Sequence, residues 1–469
     1  MRNCQIFTPP NIVKKMLDML DYQGANLVSN TIFEPAFGDG AFLTEIVNRI
    51  VQYAQSKNLT PDEIRSMLDN VYGVEIDSEL YQKTIAKLNN QLSEYGLLYD
   101  WKNLINGDSL TYIPPISFDR CVSNPPFIRV HALSETERDC IRQNYQFGVG
   151  NTDLYIVFFE LCMKKMKPDG KVCFISPNSF LKNTSQSKFR GYLAKNNLVH
   201  TIIDYNAFQV FDSVLTYSAI TLLDFQKETP LTRCIRMKNF VEVESEIVVD
   251  LKTFGKSSWI LSSEFLDNQT SNSKTLADLC VIQYGVATNA DSVYIVSDEV
   301  ATQLEPEMLR PVIKGSTLDA SRHIIFPYFW DDTTCKYHVI SEQDMACHYP
   351  KTYQYLKAHK EKLDKRDMEH DCVWYQYARS QGIQNSKNPK LVLKHILSPD
   401  ATSCDYCICD EKHIVYSGMF LVPKENVSIS EIIQVISSET FYRTTFVAGK
   451  DMASGYKSIN TKIVKGYRV

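Results

Sequence analysis

The residues best suited to chemistry lie at Ser123-Asn124-Pro125-Pro126-Phe127, directly after the apolar run FDRCV. Two consecutive prolines fix an extended backbone and remove two N–H donors, which leaves carbonyls available as acceptors. Asn124 adds a side-chain carbonyl in the same small volume, and Phe127 adds an aromatic face. Together they suit a planar, weakly nucleophilic amino group. Its two hydrogens would go to the Asn124 side chain and the Pro125 carbonyl, while Phe127 stacks on the ring that bears it. Holding both N–H bonds out of the ring plane turns the nitrogen lone pair toward a methyl donor. That is positioning and electrostatics rather than base catalysis.

Three earlier segments read as loops that would hold such a donor. Phe33-Glu34-Pro35-Ala36-Phe37-Gly38-Asp39-Gly40-Ala41-Phe42 has the pattern of a strand, a glycine turn and a helix. Glycines let backbone approach a ligand closely, and a helix amino end offers N–H groups. Neither GxGxxG nor GK[ST] is present, so a phosphate site is disfavoured. An acidic residue opens the turn instead, which suits a positively charged ligand such as the sulfonium and ammonium of S-adenosylmethionine; the plain alternative is a structural strand-turn-helix. Val71-Tyr72-Gly73-Val74-Glu75-Ile76-Asp77 is an apolar strand ending in carboxylates. Glu75 there can accept from both hydroxyls of a ribose, whereas Asp77 is equally placed to cap the next helix. The third segment ends Asn106-Gly107-Asp108-Ser109, where Asp108 either accepts from an adenine amino group of the cofactor or simply forms the turn.

These loops need a framework, and residues 31 to about 225 supply one by alternating short β-rich runs with helical stretches. One amphipathic helical run is expected to extend to Asn70. Alternation of this kind predicts an α/β sheet covered by helices on both faces, with ligands beyond the carboxyl ends of the strands. The pattern fades after about residue 230. Residues 231–275 read as a charged connection into a second domain, and no repeat or low-complexity tract follows. A length of 469 residues fits two domains, expected at 1–235 and 236–469. Hydrophobic content of 44% with 22% charged residues is that of a folded protein. No apolar run of about 18 residues and no signal-peptide pattern is present, which predicts a cytoplasmic protein with no membrane contact. Cys121, Cys140, Cys162 and Cys173 lie in apolar segments and are expected to be reduced.

A net charge of −5 argues against a protein that coats nucleic acid nonspecifically, without excluding a local basic cleft. Lys351, Lys357, Lys360, Lys362, Lys365 and Arg366 form one candidate, and Lys450, Lys457, Lys462, Lys465 and Arg468 another; a solvated face is the plain reading of each. Cys404-Asp405-Tyr406-Cys407-Ile408-Cys409 begins as CxxC, but no partner motif lies at zinc-finger spacing. A strand with alternating cysteines is expected, and no metal.

The four loops, in this order, resemble the gamma-class DNA adenine-N6 methyltransferases of type II restriction-modification systems, over residues 5 to about 225. Gln5-Ile6-Phe7-Thr8-Pro9-Pro10 is similar to that class's N-terminal motif, NPPF to its catalytic motif, and Asn151-Thr152-Asp153-Leu154-Tyr155 and Gly170-Lys171-Val172-Cys173-Phe174-Ile175-Ser176-Pro177 to its later motifs. The resemblance implies a Rossmann-like methyltransferase mixed sheet plus a C-terminal α+β target recognition domain. It implies S-adenosylmethionine contacts at Phe7, Thr8, Glu34, Pro35, Ala36, Gly38, Asp39, Glu75, Asp108 and Pro126, with catalysis at Asn124, Pro125, Pro126 and Phe127. In this class a second aromatic clamps a flipped-out base opposite the catalytic one. Phe211, in Phe208-Gln209-Val210-Phe211-Asp212-Ser213, is the candidate and Phe208 the second choice, with core packing the alternative for either. The catalytic aromatic is Phe rather than the commoner Tyr, which leaves stacking intact.

Further on, the resemblance thins to Leu309-Arg310-Pro311-Val312-Ile313-Lys314-Gly315 and Tyr349-Pro350-Lys351-Thr352-Tyr353 with Leu356-Lys357. The implied partner is double-stranded DNA, bound as a monomer, and the chain is either the modification half of a restriction system, with a cognate endonuclease acting separately, or an orphan enzyme. Competing readings are an RNA adenine methyltransferase, a protein glutamine methyltransferase, and a noncatalytic DNA-binding specificity subunit on the same fold.

Overall fold

The computed structural model describes residues 7–112, 114–211, 216–369 and 372–469. Gln5, Ile6, Asp212 and Ser213 of the motifs above lie outside them. The chain divides into two compact units, Met1–Leu261 and Ser262–Val469.

The first unit is built on nine strands: β1 (Ile32–Glu34), β2 (Val71–Glu75), β3 (Leu104–Asn106), β4 (Phe118–Ser123), β5 (Met166–Pro177), β6 (Val199–Gln209), β7 (Tyr217–Asp224), β8 (Leu231–Met237) and β9 (Val243–Asp250). They form one mixed sheet in the order β3-β2-β1-β4-β5-β7-β6-β8-β9. The first five run parallel, and β7 lies antiparallel between β5 and β6. Adjacent residues on a strand face opposite sides, and the core follows that rule. Ile32, Val122, Cys173 and Ile175 pack with the helices Pro10–Met19, Ala41–Lys57 and Ser78–Ser93. Phe33, Cys121, Val172 and Phe174 pack on the other face with Leu154–Met163 and Ser187–Lys195. The mixed sheet covered on both faces is therefore as expected.

Two expectations need correction. The helical run after the glycine turn does not continue to Asn70. It stops at Lys57, where Asn58 turns left-handed at φ 52°, and restarts as Pro61–Leu68 on a capping box made by Thr60 and Glu63. Residues 231–250 are also not a connection. β8 pairs parallel with β6 and β9 antiparallel with β8, so the unit boundary falls at 261/262 rather than 235/236. The physical reason is alternation: Thr232, Cys234 and Met237 turn inward, while the charged residues of β9 face solvent along the sheet edge, where Glu246 pairs with Arg233.

The second unit is α+β. Cys280–Tyr284, Met419–Pro423, Lys390–Leu393 and Tyr406–Cys409 make one antiparallel sheet in that order. The cysteine segment is thus a strand, as its alternation implied. Ile295–Val296, Asp319–Ile325, Leu309–Lys314 and Ile414–Tyr416 make a second sheet. The aromatic-rich segments form its core, with Tyr377 edge-on to Tyr294 and to Tyr328 at 5.2 Å each. Among the described residues no helix is long and apolar enough to cross a membrane.

One backbone position decides how β1 enters its helix. Gly40 caps Ala41–Lys57 at φ 72°, and a Cβ there would stand 2.5 Å from Thr84 Cγ2. Thr84 cannot simply withdraw, because its hydroxyl donates to the Gly38 carbonyl at 2.9 Å. Gly24 also has positive φ, at 56°, but open space around it. Gly40→Ala is therefore expected to cost more in urea unfolding than Gly24→Ala, which carries only the left-handed cost of about 1–2 kcal/mol. Equal costs would show that the close approach to Thr84 contributes nothing.

Candidate functional site

Because β1 to β4 run parallel, the turns that follow them gather at one edge of the sheet. The chain passes from β1 to neighbours on both sides, which creates the crevice typical of a switch in strand order. A cavity of 410 Å³ opens there. Its wall includes Phe7, Thr8, Glu34, Pro35, Ala36, Gly38, Asp39, Glu75, Asp108, Asn124 and Pro126. All the cofactor positions implied by the resemblance are thus brought together, joined by one face of the Asn-Pro-Pro loop. Pro125 and Phe127 are not part of this wall.

Glu75 organises the floor. One carboxylate oxygen accepts from the Gly38 N–H and the other from the Asp77 N–H, both at 2.8 Å. Its backbone carbonyl accepts from the Gly107 N–H at 2.9 Å and the Asn106 side-chain amide at 2.8 Å. One residue therefore ties together the turns after β1, β2 and β3. Asp77 caps Ser78–Ser93 through the Glu79 and Leu80 N–H groups, as its position allowed. Asp108 lines the cavity while its Oδ1 accepts from the Leu110 N–H at 3.0 Å, so it does form the turn. Ser109 bonds the Pro35 carbonyl and ties the same loop to the glycine turn.

The wall is strongly acidic. Glu34, Asp39, Glu75, Asp77 and Asp108 line it, and among the described residues the lining contains no Lys, Arg or His. Glu34 is 2% exposed, and its Oε2 is buried with no hydrogen-bond partner among the described residues. Burial, with Asp39 and Glu75 nearby, pushes its carboxyl well above the usual range. Burial also raises Asp39, against the pull of Lys87, and Glu75, against its two N–H donors. An orphaned, buried carboxylate oxygen among other acids is a site short of positive charge.

The proposed aromatic pair is in contact rather than open. Phe127 and Phe211 meet at 6.1 Å between ring centres with planes at 65°, and Phe127 also meets Tyr155 edge-on at 6.5 Å. Phe211 is 2% exposed and belongs to the core, while Phe127 is half-buried. Phe208 packs on Phe240 at 4.8 Å instead.

Residues 47–211 match the Eco57I restriction-modification methylase family. This segment is an Eco57I-like restriction-modification methylase domain. The glycine turn lies just before the matched part of the methylase domain. The type II methyltransferase M.BstVI of Geobacillus stearothermophilus is 25% identical over 458 residues, covering 87% of this chain and 79% of the relative. M.XhoI of Xanthomonas vasicola is 25% identical over 468 residues, covering 90% and 81%. Among solved structures, the restriction-modification enzyme MmeI superposes with a TM-score of 0.59 at 14% identity, over 97% of this chain and 64% of that one. At that identity the likeness is one of fold.

Sequence reasoning missed several residues of the cavity wall. Ile76, Leu80 and Phe158 all contribute. Ile76 is 47% exposed between two acids, an apolar position in a polar turn that was a readable signal. Phe158 was not readable, because Leu154–Met163 is buried on every side and has no periodic face to single it out.

Folding raises the Glu34 pKa, so the folded protein holds that proton more tightly than the unfolded chain. The resulting stability is complete below the ordinary carboxyl pKa and is lost as pH rises through the raised value. Glu34→Gln is expected to raise the melting temperature near pH 7, by about 2–4 °C for each kcal/mol regained, and to leave it unchanged near pH 4. An equal shift at both pH values would sink the burial argument.

Proposed function

We propose that this chain is a site-specific DNA adenine-N6 methyltransferase using S-adenosylmethionine. The observation that supports this most is that Asn124 and Pro126 stand in the wall of the same acid-lined cavity as Glu34 and Glu75. A cationic methyl donor and a flat amino acceptor would then share one space.

The cavity's donor set fits the cofactor. Glu34 and Asp39 offer negative charge for an ammonium and a sulfonium, and Glu34 Oε2 lacks any partner of its own. Glu75 is oriented by two N–H groups and keeps further lone pairs for ribose hydroxyls. Ile76, Leu80 and Phe158 offer apolar surface for a purine ring, and Phe7 and Thr8 face the methionine part. When bound, S-adenosylmethionine supplies an electrophilic methyl group.

Asn124 and the Pro125 carbonyl then hold the two N–H bonds of the acceptor, and Phe127 stacks on its ring. No side chain need act as a strong base, since the amino proton is lost only once nitrogen bears the positive charge. An amino group inside a duplex is out of reach, so the adenine must rotate out of the stack, at a cost of a few kcal/mol. Residues 262–469 are proposed to grip the duplex, with the chain acting as a cytoplasmic monomer beside a separate endonuclease.

Incubation with tritiated S-adenosylmethionine and unmethylated genomic DNA, followed by sequencing for modified adenines, reads substrate and site together. Label found only in RNA or in protein would overturn the DNA reading. Asn124→Ala should keep cofactor affinity and lower the methylation rate by about 10²–10³-fold or more, the loss typical of one preorganised hydrogen-bonding group. A variant that methylates at the parent rate would refute the role of the loop. Cofactor affinity should also weaken as pH falls through the raised Glu34 value, by up to about tenfold per pH unit, because a protonated carboxyl no longer pairs with a cation. In a calorimetric titration, Glu34→Gln should remove that dependence.

A further inference from the structure

The lysine-rich run at 351–366 is for the most part not a free basic face. Lys360 pairs with Asp364 and lies over Trp374, and Lys365 pairs with Glu361. Lys357 lies over the Tyr353 ring. Lys362 differs. Its Nζ donates to Ser292 Oγ at 2.7 Å, and among the described residues no carboxylate pairs with it. It stands in the wall of a second cavity, of 620 Å³, contained entirely in the second unit.

The build of that cavity suits an anion with a polymer backbone. Its floor is main chain brought unusually close. A Cβ on Gly285 would stand 2.1 Å from the Val415 carbonyl oxygen, and one on Gly418 would stand 2.4 Å from Gly315 Cα. Gln381 fixes the floor by donating to the Gly285 carbonyl at 3.1 Å. The one carboxylate in the wall, Asp291, is engaged by the Thr288 hydroxyl. Behind the loop, the Arg366 guanidinium donates to the carbonyls of Thr288, Leu363 and Trp374, and no carboxylate among the described residues neutralises it. Lys362 is therefore a cation in the wall of a polar, glycine-floored space with no ion-pair partner among the described residues, and the Arg366 guanidinium behind the Thr288 loop adds positive charge nearby.

We infer that this cavity seats a phosphodiester of the bound DNA strand, with Lys362 as its charged contact. The inference rests on the DNA reading above and adds a location to it. A phosphate contact positions the duplex and carries no sequence information, so it has a distinctive signature. Binding of the full-length chain to fluorescein-labelled duplexes of several unrelated sequences would be measured by anisotropy at rising NaCl. Lys362→Ala should lower the slope of log affinity against log salt by about 0.9, and weaken binding roughly eightfold near 0.1 M salt, equally for every sequence. Lys362→Arg should restore most of the slope, and Lys365→Ala, outside the cavity, should match the parent. A thermal melt of each variant checks folding.

An unchanged slope in Lys362→Ala, with parent binding intact, overturns the seat and leaves the methyltransferase reading standing. A loss confined to one sequence also overturns it, since Lys362 would then be reading a base. A parent chain that binds no duplex at any salt overturns both.

Discussion

Glu75 accepts hydrogen bonds through both carboxylate oxygens in a place that disfavours its charge. Its two carboxylate oxygens take the N–H groups of Gly38 and Asp77, and burial opposes the charge that makes both bonds strong. The turn after β1 hangs on this contact. Gly38 is held left-handed at φ 52°, with open space where a side chain would be, and Pro35, Ala36 and Asp39 follow the same path around the cavity. Without the Glu75 anion the turns after β1 and β2 lose their shared anchor. The cost is local: Glu34 and Asp39 share the same space, and burial first, with the neighbouring acids adding to it, makes the Glu34 carboxyl hold a proton more readily. On the proposed reading a cation in the cavity would relieve all three groups at once, so the burial of these acids would also favour a positively charged ligand.

Charge is handled differently in the second unit. The chain carries 50 Lys and Arg against 55 Asp and Glu, so there is no surplus with which to attract a polyanion at long range. Of the C-terminal basic set, Lys457 is buried on Asp451, and Arg468 donates to the Ser273 carbonyl at 3.1 Å. Such groups hold the fold together. On the proposed reading, grip on DNA then depends on a few individual contacts made at short range, which favours a protein that samples DNA briefly over one that coats it.

How much of this was legible in the sequence depended on how local the cause was. The four cavity loops could be read because each is a strand end followed by residues whose backbone chemistry is self-contained: prolines without N–H groups, glycines in a turn, an acid at a strand terminus. Residues supplied by helix faces could not, and Phe158 is the clear case. The edge strands β8 and β9 were hidden by composition, since an exposed strand alternating acids with valines looks like a charged linker until its partner is known. The lysine run failed for the converse reason. Its neutralisation by Asp364 and Glu361 is helical i,i+4 pairing, readable only once the short helix Lys360–Asp364 is placed, and the role of Arg366 depends on carbonyls as distant as Thr288.

The contact between Phe127 and Phe211, both in the first unit, bears on how a base could be held there. A base held between two rings needs them nearly parallel with a ring's thickness between, whereas here they meet at 65°. Phe211 is fixed in the core, and the Gln209 side-chain amide donates to its carbonyl at 2.8 Å, so Phe127 is the ring that must move. An edge-to-face pair is worth about 0.5–1.5 kcal/mol, and a base stacked on an aromatic side chain about 1–3 kcal/mol. The exchange runs from about 0.5 kcal/mol unfavourable to about 2.5 kcal/mol favourable, which does not cover the few kcal/mol needed to take a base out of a duplex. The balance has to come from elsewhere: from hydrogen bonds at Asn124 and Pro125, which form only after the base has arrived, and from distortion of the duplex held by another part of the chain. On the proposed reading, a domain with this closed aromatic pair needs binding energy from residues 262–469 to act on duplex DNA. On that reading the energy of base extrusion is the physical reason for a second unit of more than two hundred residues.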